Sequence, residues 1–251
     1  MTGTRLDRLA QVVRTHSGAG SNSADLPVGA EKRAAVRDMF DAIAPRYDVV
    51  NKMMTFGLDV WWRRRTLALL ELSPSARVLD LACGTGDFSR LASREGARPV
   101  GVDLSAGMLA NARPGKAPLV RADAVALPFP PAVFDGAVSG FALRNFSDLP
   151  SVFAELARVV RPGGRIALLE VSQPEGALLV AGHRLWFNEV VPRLGGLVSD
   201  AAAYRYLPRS VAYLPRPGAL LTMLATAGFA SPTRHVLSGG IVQVLTGTRR
   251  P

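Results

Sequence analysis

One cysteine, Cys83, stands in a chain of 251 residues, so an intramolecular disulfide is excluded. The three histidines, His16, His183 and His235, are scattered and none has a cysteine neighbour, so no metal site is expected. Lysine occurs only at positions 32, 52 and 116; the rest of the positive charge is arginine. No apolar run reaches about 18 residues, which leaves nothing to span a bilayer, and residues 1–29 lack the apolar core of a secretory signal. A cytoplasmic, reducing setting is the expectation. The signatures of RNA-binding modules and any aromatic-rich basic stripe are missing as well. The formal net charge of +10 is therefore not read as a nucleic-acid signal, and no nucleic-acid partner is expected. Basic side chains near anionic lipid headgroups gain about 1 kcal/mol each, so charge permits a membrane surface as a partner without selecting it.

What is present is organised around residues 78–87, VLDLACGTGD. A short apolar run ends at an acid, Gly84 and Gly86 break it, and Phe88, Leu91 and Ala92 resume at helical spacing. Strand, tight glycine turn and helix are predicted. In open α/β sheets such a turn lies where ligands bind, and its glycines admit backbone close to a ligand. A dinucleotide fingerprint is incomplete, because Ser89 stands where the third glycine belongs. Two further strands end in acids: PVGVD at Asp103, and a third stretch leading to Asp123 in RADA. Asp80, Asp103 and Asp123 then share one rim of the sheet. A ligand with an amino-acid ammonium, a ribose diol and an adenine amino group satisfies three carboxylates, whereas a pyrophosphate is repelled by them. The cofactor expected is S-adenosylmethionine.

Size suits one large domain that buries roughly 70–75% of its unfolded surface. Residues 1–29 read as a flexible extension containing the linker-like SGAGSNSA, and residues 30–251 as the S-adenosylmethionine-binding domain. Residues 31–44 carry apolar groups at helical spacing up to Pro45. The segment 41–58 is rich in large apolar side chains. It is either a helix over the sheet edge or a lid, with Tyr47 and Met53 or Met54 facing a hydrophobic substrate. Trp61 and Trp62 beside Arg63, Arg64 and Arg65 have two readings: an anchor at a membrane interface, or one core ring beside a solvated arginine face. Residues 134–141 form a fourth strand, 149–161 an amphipathic helix stopped by PGG, 165–171 a fifth strand, 217–228 a helix and 241–248 a closing strand. Residues 176–197 are apolar with few polar breaks.

Eight segments carry a resemblance: DMFDAIAPRYD, VLDLACGTGD, GVDLSAGML, ADAVALPFP, ALRNF, VVRPGGRIALLE, YRYLPRS and LSGGIVQVLTG. Over about residues 31–249 the chain resembles the ubiquinone/menaquinone biosynthesis C-methyltransferases. The resemblance implies an α/β fold, a doubly wound, mostly parallel seven-stranded sheet of the class I methyltransferase type, with an N-terminal helical lid. It implies that Asp80, Gly84, Thr85 and Gly86 hold the methionine end of S-adenosylmethionine, Asp103 the ribose, and Asp123 with Ala124 the adenine. The family serine before its phenylalanine is replaced by Gly140, with Ser139 the nearest hydroxyl, and the glycine after Phe141 is replaced by Ala142. The substrate implied is a prenylated quinol facing Tyr47, Phe141, Tyr204 and Tyr206, reached by peripheral contact with the membrane, with a homo-oligomer left open.

The chemistry asks for an electron-rich ring carbon in line with a sulfonium methyl, and for exclusion of water. A reduced quinol qualifies and an oxidised quinone does not. A cation or donor beside the developing phenolate is required, and Arg144 with Asn145 at the end of the fourth strand has that place. Arginine keeps its proton, so its expected role is electrostatic. Asp148 is expected to cap the following helix. Methylation of another small phenolic metabolite, and nucleic-acid binding with a silent cofactor site, are the alternatives.

Overall fold

The computed structural model describes residues 28–172 and 210–251. The first element is helix α1 (Gly29–Ile43), and Pro45 ends it in a single 3-10 turn. Helix α2 (Tyr47–Thr55) follows, stopped by Phe56 and Gly57, both in the left-handed region, before α3 (Leu58–Ala68). Strand β1 (Arg77–Leu81), helix α4 (Asp87–Arg94), β2 (Arg98–Asp103), the short α5 (Ala106–Ala110) and β3 (Leu119–Arg121) make the first half of the sheet. Then come β4 (Phe134–Gly140), α6 (Leu149–Val159), β5 (Val160–Val171), α7 (Pro217–Thr226), β6 (Phe229–Leu237) and β7 (Val242–Arg249).

The strands lie in the order β3-β2-β1-β4-β5-β7-β6. Pairing is parallel from β3 through β5 and antiparallel on both sides of β7. Strand order reverses between β1 and β4, where a doubly wound sheet opens its ligand crevice. Because strand side chains alternate, Leu79, Leu81, Ala137, Ile166 and Leu168 share one core with Phe153 and Leu156 of α6 and Leu220 of α7. Val78, Val138, Ala167 and Leu169 share the other with Trp62, Leu67, Phe88 and Leu91. Asp80 falls on the second face, beneath α4.

The second core decides the reading of the paired tryptophans. Trp62 is buried, its Nε1 donating to Ser238 Oγ at 2.8 Å, while Trp61 is 50% exposed. Arg63 departs from the solvated face expected for it. It is buried and bonded to Asp59 at 2.5 Å and Asp87 at 3.2 Å. A buried guanidinium needs such partners to offset desolvation.

Strand β6 was not expected, since Pro232 interrupts it and its side chains are largely polar. It is an edge strand with a register shift between Ala230 and Thr233, a place where proline is tolerated. Strand β5 also begins earlier than expected, at Val160, and runs through the PGG segment after α6 ends at Val159. Asp148 does cap α6: its carboxylate accepts from Ser151 N at 3.1 Å and Ser151 Oγ at 2.6 Å, and the Ser151 hydroxyl bond holds its pKa low. The apolar segment 176–197, with Tyr204 and Tyr206, lies outside the described residues.

Candidate active site

A cavity opens at the carboxyl ends of β1, β2 and β4, roofed by α1 and the start of α2. Its floor is made by two strand ends with unusual backbone. Ala82, just after β1, has φ +54°, and Phe141, just after β4, has φ +60°. Non-glycine residues in this region cost about 1–3 kcal/mol each and cluster at sites where the fold over-determines them. Here Cys83 N donates to Val102 O at 2.9 Å and Phe141 N to Leu169 O at 2.7 Å, pinning both turns. Burial pushes the Cys83 thiol up, which favours its neutral form.

Gly84 has φ +53°, and its amide donates to Asp103 Oδ2 at 2.8 Å. Ser105 N donates to Asp103 Oδ1 at 2.8 Å. Burial raises the Asp103 pKa, and the Ser105 and Gly84 amides oppose the rise. Met108, Ala124 and Val125 supply an apolar slot beyond it, ending at Asp123. The two arginines in the lining are both paired, Arg33 to Asp123 at 2.7 Å and Arg37 to Asp38 at 2.8 Å. An acid at β2, an apolar slot and a second acid at its end form an acceptor set that fits a cationic nucleoside with a ribose diol and an exocyclic amine.

Of the residues expected to bind the cofactor, Gly84, Asp103, Asp123, Ala124 and Gly140 line the cavity. Asp80, Thr85, Gly86 and Ser139 stand behind it. Asp80 accepts from Ser89 N at 2.8 Å and Ser89 Oγ at 2.6 Å, and burial raises its pKa to about 7. Thr85 donates its hydroxyl to Asp48 Oδ1 at 2.5 Å, and Gly86, at φ +84°, packs on Pro114. The Ser139 hydroxyl donates to Leu81 O at 2.8 Å within the sheet. A Cβ at Gly140 would stand 2.7 Å from Phe88 Cε2, so the ring of Phe88 excludes a side chain there.

On the acceptor side, Tyr47, Phe141, Ala142 and Asn145 line the same cavity with Phe40 and Phe146. Arg144 lies in the turn that follows β4. It is buried outside the lining, its guanidinium paired with Glu170 and its Nε donating to Ser210 Oγ at 3.1 Å. Its own amide donates to Glu170 Oε2 at 3.1 Å, so the pair fixes the turn that presents Asn145. Tyr47 has its pKa raised by burial, opposed by the charges of Arg63 and Arg144. It stays a neutral phenol that can donate.

Sequence reasoning missed the ties that hold the roof. Lys32 is buried, donates to Phe146 O at 2.7 Å and stands 3.8 Å over the Tyr213 ring; burial lowers its pKa to about 8. Asp41 accepts from Ser105 Oγ at 2.5 Å and Gly107 N at 2.8 Å. Asp48 was in view inside APRYD, directly beside Tyr47. Lys32 and Glu170 carry no local signal, because their partners lie 114 and 26 residues away.

A model of the ubiE/COQ5 methyltransferase family matches residues 28–249. The demethylmenaquinone methyltransferase of Thermus thermophilus is 43% identical over 221 residues, 84% of this chain and 100% of that one. The ubiquinone/menaquinone biosynthesis C-methyltransferase UbiE of Syntrophotalea carbinolica is 42% identical over 85% of this chain and 93% of its own. Among solved structures, Haemonchus contortus phosphoethanolamine N-methyltransferase 2 with S-adenosyl-L-methionine superposes with TM-score 0.59 at 16% identity, covering 86% of this chain and 60% of that one. A S-adenosylmethionine-dependent methyltransferase of Thermotoga maritima gives 0.60 at 17% identity, covering 86% and 100%. At such identity these two speak for the fold alone.

Proposed function

The chain belongs to the ubiE/COQ5 methyltransferase family, and we propose that the ring it methylates is a prenylated naphthoquinol, demethylmenaquinol becoming menaquinol. It is an S-adenosylmethionine-dependent C-methyltransferase of quinone biosynthesis. The naphthoquinol reading rests on relatives named demethylmenaquinone methyltransferase, from Thermus thermophilus and from Deinococcus radiodurans. The observation that carries the site is continuity: residues suited to the cofactor, Gly84, Asp103, Asp123 and Ala124, and Ala142, Asn145 and Phe146 of the ALRNF segment line one cavity.

S-adenosylmethionine, when bound, supplies an electrophilic sulfonium methyl. Asp103 would accept from the ribose hydroxyls, and Asp123 would accept from the adenine amine once Arg33 yields it. Asp80 and Thr85 act through the turn: they fix α4 and α2 against Gly84 rather than touching the ligand. On the acceptor side, Asn145 and the neutral phenol of Tyr47 hold the ring hydroxyl that becomes the phenolate. Arg144 and Arg63, each paired with its own carboxylates, fix the surroundings of Tyr47 and Asn145. Arg144 is thus a positioning residue, and Glu170 is its anchor. Phe40, Phe141 and Phe146 exclude water from the methyl's path.

The prenyl tail calls for a lipid surface. Phe56 is 74% exposed and Trp61 50%, with Val49, Met53, Leu58 and Val60 also exposed around them. Every exposed charge from 46 to 65 is cationic: Arg46, Lys52, Arg64 and Arg65. Aromatic and aliphatic groups ringed by cations suit an anionic bilayer surface, so peripheral docking through α2 and α3 is part of this reading.

The test is methyl transfer from labelled S-adenosylmethionine to chemically reduced demethylmenaquinol in detergent. Product from the quinol and none from the quinone is the expected result. Asn145→Ala should cut kcat at least tenfold while cofactor binding persists. Cofactor binding without product from this quinol overturns the naphthoquinol assignment.

A further inference from the structure

A second concavity lies away from the cavity just described. Arg90, Ser93 and Arg94 of α4 face Arg113 and Lys116 of the segment between α5 and β3, and no carboxylate is in the lining. Arg90 is committed within the fold: it pairs with Asp87, and its Nη1 donates to Arg113 O at 3.0 Å. Arg94, Arg113 and Lys116 are exposed, and their side chains have no hydrogen-bond or ion-pair partner among the described residues. The backbone beneath them is fixed. Arg113 N donates to Thr85 O at 2.9 Å, and Pro114 packs so closely on Gly86 that a Cβ there would stand 3.0 Å from it.

Three uncompensated cations, Arg94 at the end of α4 and Arg113 and Lys116 on the anchored loop beside it, repel one another, and a multivalent anion between them removes that repulsion. Guanidinium forks match phosphate oxygens in pairs, an ammonium adds a point charge, and the Ser93 hydroxyl is a further donor. We propose that this groove binds a phosphate-bearing group through Arg94, Arg113, Lys116 and Ser93. A free phosphate compound and a phospholipid headgroup present the same chemistry.

The full chain would be titrated calorimetrically with inorganic phosphate. It would also be sedimented with phosphatidylglycerol vesicles against phosphatidylcholine vesicles. Two triple variants of equal net charge would be compared: Arg94→Gln/Arg113→Gln/Lys116→Gln in the groove, and Arg98→Gln/Arg216→Gln/Arg250→Gln at exposed sites elsewhere. Saturable phosphate binding, weakened at least tenfold by the groove variant and less than twofold by the other, is expected. Vesicle binding lost with it identifies the headgroup as the source, and vesicle binding retained identifies the soluble compound. Absence of saturable binding to either probe, or equal loss in both variants, overturns the site.

Discussion

Asp80 holds an ionisable group buried from water, with the Ser89 amide and hydroxyl as its donors among the described residues. Burial lifts its pKa to about 7 from an ordinary value near 4. The folded state therefore binds a proton that the unfolded state has released. This stabilising contribution is complete below about pH 4 and is lost as pH rises through 7. Relative to the wild type, Asp80→Asn should gain about 2–4 kcal/mol of stability between pH 4 and pH 8, measured by urea unfolding at each pH. A pH-independent difference between the two proteins would remove the burial argument. Gly140 makes a different case. Placing a serine there brings a Cβ to 2.7 Å from Phe88 Cε2, so Gly140→Ser should cost about 1–3 kcal/mol, and Phe88→Leu in the same chain should recover much of it. Additive losses in that double variant would show that the Phe88 ring is not the cause.

The roof over the cavity, α1 with α2, is held by polar ties more than by its small apolar cluster of Met39, Ile43, Ala44 and Met108. Gly107 shows how close the contact is: a Cβ there would meet Asp41 Cα and O at 2.9 Å, and backbone cannot step aside. Gly107→Ala should push α1 off α5 and weaken S-adenosylmethionine binding at least tenfold, with little change in the main unfolding transition. Binding titrations and a thermal melt on one preparation check it. The strands and helices of the central sheet were legible because hydrophobic period and glycine punctuation are local signals, as at Val78–Gly86. Asp103 and Asp123 were legible because a strand end fixes where an acid must be. Edge strand β6 was not, since an exposed strand needs no apolar alternation. The true surroundings of Arg144 were not, since Glu170 and Ser210 reach it from distant segments, and nothing in ALRNF says that its arginine points inward while its asparagine lines the cavity.

Taken as one body, the protein sets an apolar, cation-ringed surface on α2 and α3 next to the cavity roof that α2 begins. Phe56→Ser with Trp61→Ser should reduce sedimentation with phosphatidylglycerol vesicles at least fivefold. The same variant should leave turnover of a short-tailed quinol in detergent within twofold, because neither side chain lines the cavity. Equal loss on both measures would place these side chains in folding and not in docking. The scarcity of lysine has a practical outcome as well. Lys52 and Lys116 are exposed, while Lys32 is covered by Phe146 and Tyr213, with an amine that loses its proton near pH 8. A mild acylating reagent has two open lysine amines as an internal clock, and a third, Lys32, that it reaches only when α1 lifts. The ratio of their labelling rates reads how often the roof opens, and its fall with added S-adenosylmethionine would follow closure without any engineered probe.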